Sequence, residues 1–121
     1  MQSVFTDAES LTKYNNKATF NFAFNYGGRA DITDAVSNIV QNIHITDEIT
    51  EKTITDNLWT AGLPDVDILV RTGNEKRISN FMLWQNSNAT LHFLEKYWPD
   101  ISINDIYHIV EKVNKQDVMQ M

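Results

Sequence analysis

The chain has 121 residues, the size of one small domain, and 42% of them are hydrophobic, which is enough to build a core. It contains no cysteine, which excludes disulfides, cysteine-based metal sites and thiol chemistry. Its formal net charge of −6 argues against general binding to nucleic acid.

The first half of the chain predicts two helices with a strand between them. Residues 5–16 carry apolar side chains at helical spacing. Residues 19–26 alternate, with phenylalanine at every second position, and predict a strand that ends at a pair of glycines. A helix is then predicted to begin near Ala30, and the mixed polar residues 42–51 predict a loop. The inward face of that helix is expected to carry Ile32, Ala35, Val36, Ile39 and Val40.

The second half predicts two further strands. A helix over residues 51–60 is expected to turn Ile54, Leu58 and Trp59 inward. The apolar run Val66–Val70 is typical of a buried strand in a parallel sheet. The remaining elements are predicted as a turn at Gly73 and Asn74, a helix over 78–85, a strand over 89–93, a turn over 98–100 and a closing helix over 103–113.

Three strands separated by helices predict an α/β fold with a parallel sheet and right-handed crossovers. Parallel sheets are usually larger than this and are buried on both faces. Three strands alone would leave a strand edge unpaired, so we expect the isolated chain to self-associate or to pack loosely.

The segment that follows the central strand predicts an anion site. Arg71 ends the strand, and Lys76 and Arg77 against Glu75 leave residues 71–79 with a local charge of +2. Cations at the end of a parallel strand, beside the N-terminus of a predicted helix, suit a compact phosphorylated ligand. The structural alternative is that Arg71 simply pairs with Asp65 or Glu75.

Residues 71–85, with the sequence Arg-Thr-Gly-Asn-Glu-Lys-Arg-Ile-Ser-Asn-Phe-Met-Leu-Trp-Gln, resemble the signature of the cis-prenyltransferases, the undecaprenyl diphosphate synthase family. Asn25-Tyr-Gly-Gly-Arg-Ala30, Thr60-Ala-Gly-Leu-Pro-Asp65 and Trp98-Pro-Asp100 agree with it in order. The resemblance covers nearly the whole chain from about Leu11 onward. It implies a three-layer α/β/α fold with a parallel sheet of about six strands. This chain is expected to supply the C-terminal half of that single domain, with the N-terminal half absent.

The resemblance also implies an activity and a binding site. Cis-prenyltransferases condense isopentenyl diphosphate onto an allylic diphosphate, and their cis-polyprenyl products serve as lipid carriers for cell-wall polymers or as dolichol-type lipids. Arg71, Arg77, Ile78 and Ser79 match the family positions that bind the diphosphate of isopentenyl diphosphate. The two guanidiniums would give charge-assisted bonds to phosphate oxygens, Ser79 a hydroxyl, and Ile78 its backbone at the start of the predicted helix. Glu75 is expected to orient one of the arginines.

The chain departs from the family at the catalytic and metal positions. The family's Asp-Gly-Asn motif, whose Asp binds magnesium and the allylic diphosphate, is not found. Thr90 stands where the family carries a Glu that helps to coordinate magnesium. Because protein carboxylates are the usual magnesium ligands, magnesium is implied for the family, whereas we assign this chain no metal ligand and no catalytic residue. The 121-residue chain alone is expected to be inactive.

Other chemically suggestive residues receive structural interpretations. His44, His92 and His108 lack metal-ligand spacing and are expected to be surface or core residues. The glycines of residues 25–29 are expected to serve a tight turn and close packing before a helix rather than substrate binding.

Two functions remain open from the sequence. In the first, the chain belongs to a prenyl-transferring enzyme. In the second, it is catalytically inactive, either as a truncated remnant or as an accessory subunit of a complete cis-prenyltransferase. A homodimer or a heterodimer with such a subunit is expected in both cases. A flavodoxin-like binder is disfavoured because no phosphate loop opens a first strand. No run approaches the ~18 apolar residues of a membrane span and no signal peptide is apparent. We therefore expect a cytoplasmic protein with at most peripheral membrane association.

Overall fold

The computed structural model describes residues 2–42, 44 and 48–119. None of the helices in these ranges is long and apolar enough to cross a membrane. The elements, in chain order, are α1 (Gln2–Thr12), α2 (Gly28–Asn42), α3 (Glu51–Thr55), β1 (Ile68–Arg71), β2 (Thr90–Phe93), a 3-10 turn (Trp98–Asp100) and α4 (Ile103–Met119).

The sheet consists of β1 and β2, which pair in parallel. Ile68 lies opposite Thr90, and Arg71 lies opposite Phe93 at the other end. The backbone N–H of Leu94 then donates to the carbonyl of Arg71 at 2.8 Å, so the two strands end together. Helices around a small parallel sheet confirm the predicted α/β class, and the loops that follow both strands leave from one edge.

The strand predicted over residues 19–26 is wrong, because this segment forms no regular element. A strand exists only where a neighbour pairs with its backbone N–H and C=O groups, and the described part of the chain places none beside it. The phenylalanines contact one another and Phe5 of α1 instead. The ring centroids of Phe5 and Phe24 lie 5.2 Å apart, and those of Phe20 and Phe22 lie 4.6 Å apart.

The helix predicted over residues 78–85 is also wrong. Ser79, Asn80 and Met82 have φ angles of +47°, +64° and +47°, and left-handed residues cannot continue a right-handed helix. The segment is instead a succession of turns. The helix N-terminus that the sequence placed beside the cations is therefore not there.

The remaining helices were predicted correctly in kind but not in every boundary. α2 begins at Gly28, buries Ala35 and Ile39, and leaves Val36 and Val40 exposed, so its covered stripe is narrower than expected. α3 ends at Thr55, and Trp59 is 52% exposed rather than inward. The apolar side chains that are buried in the described ranges are Ala35, Ile39, Leu58, Leu69 and Ile109.

The N-terminus of α4 is fixed by a reciprocal cap. The Asp105 carboxylate accepts the backbone N–H of Ser102 at 2.8 Å, and the Ser102 hydroxyl accepts the N–H of Asp105 at 3.3 Å. Lys96 donates to the same carboxylate at 2.8 Å. The bonds from Lys96 and Ser102 hold the pKa of Asp105 well below its ordinary value. Ser102 therefore caps the N-terminus of α4.

Candidate anion-binding site

The candidate site lies where β1 ends, in the loop of residues 71–80. Gly73 and Asn74 form the predicted turn, with φ angles of +86° and +59° that glycine and asparagine tolerate. The N–H of Gly73 donates to the carbonyl of Lys96 at 2.9 Å, and that of Asn74 to the carbonyl of Leu94 at 3.1 Å. The loop is therefore tied to the chain that leaves β2.

Arg71 is the centre of the site. Its Nη1 donates to the hydroxyl of Ser79 at 2.6 Å and to the backbone carbonyl of Arg77. None of the ion pairs in the described ranges involves Arg71, so the structural alternative of a pair with Asp65 or Glu75 is not observed. The fold thus places the Arg71 guanidinium against the Ser79 hydroxyl and against the backbone of Arg77.

The guanidinium of Arg77 pairs with Glu75 at 2.9 Å. Both side chains are substantially exposed, at 69% and 46%. Glu75 thus holds an arginine of the loop, as expected, and that arginine is Arg77. The second guanidinium of the site is therefore shared with a carboxylate at the surface.

Ile78 lines a pocket beside Arg71 and Ser79. The pocket has a volume of about 270 Å³ and is otherwise bounded by Leu69, Val70 and Phe81. The expectation that Ile78 offers its backbone at a helix start is wrong, because no helix begins there. The carbonyl of Ile78 instead accepts the N–H of Phe81 at 3.0 Å and closes a turn.

A buried carboxylate behind the loop was missed from sequence. Asp31 has no exposed surface and accepts hydrogen bonds from the Tyr26 hydroxyl at 2.5 Å, the Trp59 N–H at 2.7 Å and Gln85 Nε2 at 3.1 Å. Burial and the bond to Asp31 raise the pKa of Tyr26 to about 12. No local pattern in the sequence marked Asp31 as buried.

Asn80 was also missed. Its backbone carbonyl accepts the N–H of Gly28 at 2.7 Å, and its side-chain Oδ1 accepts the N–H of Arg29 at 2.9 Å. The only signal available was asparagine's tolerance of left-handed backbone, which the helical spacing of its neighbours overrode. Asn80 joins the loop to the start of α2.

The residues present do not fit the magnesium site that the resemblance implies. Thr90 donates its hydroxyl to the carbonyl of Asp67 at 3.2 Å, so a neutral group engaged with the backbone stands at the family's carboxylate position. In the ranges that the structure describes, no group of three or more His, Asp or Glu side chains could hold a metal ion. His92 is half-buried in β2 and His108 is exposed on α4.

Comparisons with known proteins agree with the motifs. A family described as putative undecaprenyl diphosphate synthase matches residues 1–119. The isoprenyl transferase of Rickettsia bellii is 43% identical over 116 residues, which are 96% of this chain and 50% of that protein. The trans,polycis-polyprenyl diphosphate synthase of Thermobifida fusca, specific for (2Z,6E)-farnesyl diphosphate, is 39% identical over 93% of this chain and 41% of its own length. The chain thus spans about half the length of the curated relatives it matches.

Two solved structures share the architecture. A probable undecaprenyl diphosphate synthase from Campylobacter jejuni superposes with a TM-score of 0.78 at 32% identity, over 93% of this chain and 52% of its own. Lavandulyl diphosphate synthase from Lavandula x intermedia, in complex with dimethylallyl diphosphate, gives a TM-score of 0.81 at 32% identity, over 93% of this chain and 50% of its own.

Proposed function

The chain belongs to the undecaprenyl diphosphate synthase family, and on this premise we propose that it carries the isopentenyl diphosphate site of a cis-prenyltransferase. The reaction would join isopentenyl diphosphate to an allylic diphosphate and give a cis-polyprenyl diphosphate of the lipid-carrier type. The site residues are Arg71, Arg77 and Ser79, with Ile78 lining the adjoining pocket. A cytoplasmic location, at or near a membrane surface where such a product partitions, is part of the proposal.

The observation that carries the proposal is the contact between Arg71 and Ser79. A guanidinium has five N–H donors, and the bonds to Ser79 and Arg77 use Nη1 alone. Nη2 and Nε remain to donate to a diphosphate, while Ser79 offers a hydroxyl beside them. Because Arg71 is not neutralised by any carboxylate of the described ranges, its charge is available to an anion.

The role of this site in the reaction is to bind and orient one substrate. In the reaction, the allylic carbon–oxygen bond breaks, its electron pair leaves with inorganic pyrophosphate, and the isopentenyl double bond attacks that carbon. A carbon–carbon bond forms and a proton is lost. Arg71 and Ser79 hold the isopentenyl diphosphate so that its double bond meets the allylic carbon, and they neutralise its charge. No step is assigned to a metal, because the described residues do not fit one.

The titration that tests this function uses three anions: isopentenyl diphosphate, pyrophosphate and orthophosphate. We expect the two diphosphates to bind with similar affinity and orthophosphate to bind more weakly. Arg71→Ala should weaken diphosphate binding by about tenfold or more, since a hydrogen bond to a charged group is worth about 1.5–3 kcal/mol. Lys52→Ala removes an exposed cation from α3 and serves as the matched control. Equal affinities for wild type and Arg71→Ala would show that this arginine is structural.

A second function, that of a non-catalytic accessory subunit or remnant, is favoured by Thr90. Its hydroxyl is committed to the backbone of Asp67 at a position where the family uses a carboxylate for magnesium. In this case the chain would associate with a second copy of itself or with a complete cis-prenyltransferase as a heterodimer subunit, without turning over substrate. Incorporation of radiolabelled isopentenyl diphosphate separates the two. Product formed with magnesium and an allylic diphosphate supports the enzyme, whereas diphosphate binding without product supports the accessory role.

A further inference from the structure

Two hydrogen bonds, both accepted by Asn80, join the loop of residues 71–80 to the start of α2. Asn80 accepts the N–H of Gly28 on its carbonyl at 2.7 Å and the N–H of Arg29 on Oδ1 at 2.9 Å. The first four N–H groups of an α-helix have no partner within the helix. Asn80 satisfies two of them from 52 and 51 residues away, which is the task that a neighbouring capping residue performs in most helices.

The conformation of Asn80 suits asparagine. Its φ angle of +64° lies in the left-handed region, which asparagine enters more readily than most residues. In this conformation both its carbonyl and its side-chain oxygen meet the helix start. Alanine would lose the Oδ1 acceptor and would add backbone strain.

Gly28 provides the matching surface on α2. A Cβ at this position would lie 2.8 Å from Leu83 Cγ, 3.0 Å from the Leu83 backbone N and 3.1 Å from the Asn80 carbonyl oxygen. The loop therefore approaches the helix more closely than a residue with a side chain permits. The expectation of close packing at the paired glycines is confirmed, and the partner that packs there is the anion-binding loop.

The start of α2 is itself held in place. Asp31, one turn into the helix, is fully buried and bonded to Tyr26, Trp59 and Gln85. Gln85 follows the loop in sequence, so the segment is fastened to α2 at Asn80 and again five residues later.

We propose that Asn80 is a positioning residue for the diphosphate site, which it keeps assembled by fastening the loop to α2. Ser79 is bonded covalently to Asn80, and its hydroxyl meets Arg71 Nη1 at 2.6 Å. A shift of Asn80 therefore moves Ser79 away from Arg71. This inference rests on the proposed diphosphate site but concerns Asn80, whose hydrogen bonds in the described ranges go to α2 and not to Arg71.

The first test removes the side-chain acceptor alone. Asn80→Gly keeps the left-handed backbone and the carbonyl that binds Gly28, and it deletes Oδ1. Asn25→Gly is the matched control, because Asn25 is exposed and has a similar φ of +52°. The readouts are the NMR signal of the Arg71 guanidinium without ligand, hydrogen exchange at the Arg29 amide, and pyrophosphate affinity measured well below the unfolding temperature.

We expect Asn80→Gly to shift the Arg71 signal, to speed exchange at Arg29 and to weaken pyrophosphate binding by about two- to tenfold, as one lost hydrogen bond predicts. Asn25→Gly should change none of these. Asn80→Asp keeps an acceptor at the same place, so its Arg71 signal and its exchange protection at Arg29 should match those of the wild type. It is not used for affinity, because its charge would repel the anion.

A second variant approaches the joint from the helix and covers the case in which Asn80→Gly does not fold. Arg29→Pro deletes the donated N–H, and proline is tolerated in the first turn of a helix. Arg29→Ala removes the same side chain and keeps the N–H. A shift of the Arg71 signal with proline but not with alanine supports the inference.

Unchanged Arg71 signals in Asn80→Gly, or in Arg29→Pro if only that variant folds, would overturn the inference. If the wild-type protein binds pyrophosphate and a folded Asn80→Gly variant binds it with the same affinity, the inference is also overturned. If wild type binds no pyrophosphate, the proposed function fails, and the Arg71 signal alone decides whether Asn80 positions the loop.

Discussion

The backbone N–H of Trp59 donates a 2.7 Å hydrogen bond to the carboxylate of Asp31, which has no exposed surface. With Tyr26 and Gln85 as further donors, this carboxylate links the start of α2 to the segments on either side of β1. Removing Asp31 would leave three donors, the Trp59 backbone N–H, the Tyr26 hydroxyl and Gln85 Nε2, without this acceptor.

We therefore expect Asp31→Ala to lower the free energy of unfolding by about 2–4 kcal/mol. Asp34→Ala is the control on the same helix: Asp34 is exposed and accepts Trp59 Nε1 at 2.8 Å. Its loss should cost about 0.5–1 kcal/mol. Urea denaturation of both variants measures the difference, and equal losses would show that burial at Asp31 is unimportant.

Tyr26 predicts how stability depends on alkaline pH. Burial and the Asp31 hydrogen bond raise the pKa of Tyr26 from 10.0 to about 12, so the folded protein keeps a proton that the unfolded chain releases. The stabilising effect is complete below pH 10 and is lost as the pH rises towards 12. Spectrophotometric titration should show a tyrosine that ionises near pH 12, and Tyr26→Phe should remove that phase. A titration in which Tyr26→Phe removes no such phase would contradict the prediction.

The anion site predicts graded losses of pyrophosphate affinity. Arg71→Ala should cost about 1.5–3 kcal/mol, because it removes charge-assisted bonds, and Ser79→Ala about 0.5–1.5 kcal/mol, because it removes a neutral donor. Arg77→Ala should cost less than Arg71→Ala, since Glu75 already holds that exposed guanidinium. Arg71→Lys should fall between wild type and alanine, because lysine keeps the charge and loses the planar fork. Calorimetric titration gives the ranking, and a larger loss at Ser79 than at Arg71 would contradict it.

Glu75 predicts a change in the opposite direction. Its carboxylate pairs with Arg77 at 2.9 Å and repels an anion bound to the same loop. Glu75→Gln should strengthen pyrophosphate binding by up to about fivefold, since an exposed ion pair is worth about 0–1 kcal/mol. High salt should remove the gain. Glu111→Gln breaks a comparable surface pair on α4 with Lys115 and should leave the affinity unchanged. Weaker pyrophosphate binding by Glu75→Gln than by wild type would mean that Glu75 orients Arg77 for binding.

The phenylalanine segment predicts self-association. Phe20, Phe22 and Phe24 are 81%, 61% and 64% exposed, and contiguous apolar surface of this kind favours contact between molecules. Phe20→Ser combined with Phe22→Ser should shift the chain towards monomer in sedimentation velocity. Leu11→Ser on α1, where the leucine is 83% exposed, controls for the loss of an exposed apolar residue outside this segment. An unchanged distribution in the double variant would place the association surface elsewhere.

Local sequence was sufficient for β1, β2 and the turn between them. The run Ile68–Val70, which β1 extends to Arg71, is apolar and is bounded by polar and glycine residues, so few other structures suit it. The motif of residues 71–79 likewise identified Arg71, Arg77 and Ser79 as a set, and the fold brings the three together. These features depend on residues that are close in sequence.

The errors arose where distant residues decide the conformation. Alternating phenylalanines suit a strand, but only a neighbouring strand can make one, and in the described ranges none pairs with residues 19–26. The helical spacing after Ile78 was real, yet the bonds from Gly28 and Arg29 hold Asn80 in a left-handed conformation that a helix excludes.

Sequence by itself thus determined the family motif, the cations and the two paired strands, because each is written in contiguous residues. Only the tertiary structure decided the burial of Asp31 and the capping of α2 by Asn80. Apart from Tyr26, the partners in these contacts lie 28 to 54 residues apart, as in Asp31 with Trp59 and with Gln85. Periodicity records which face of an element is apolar, but it does not record which distant N–H or carbonyl a polar residue will meet.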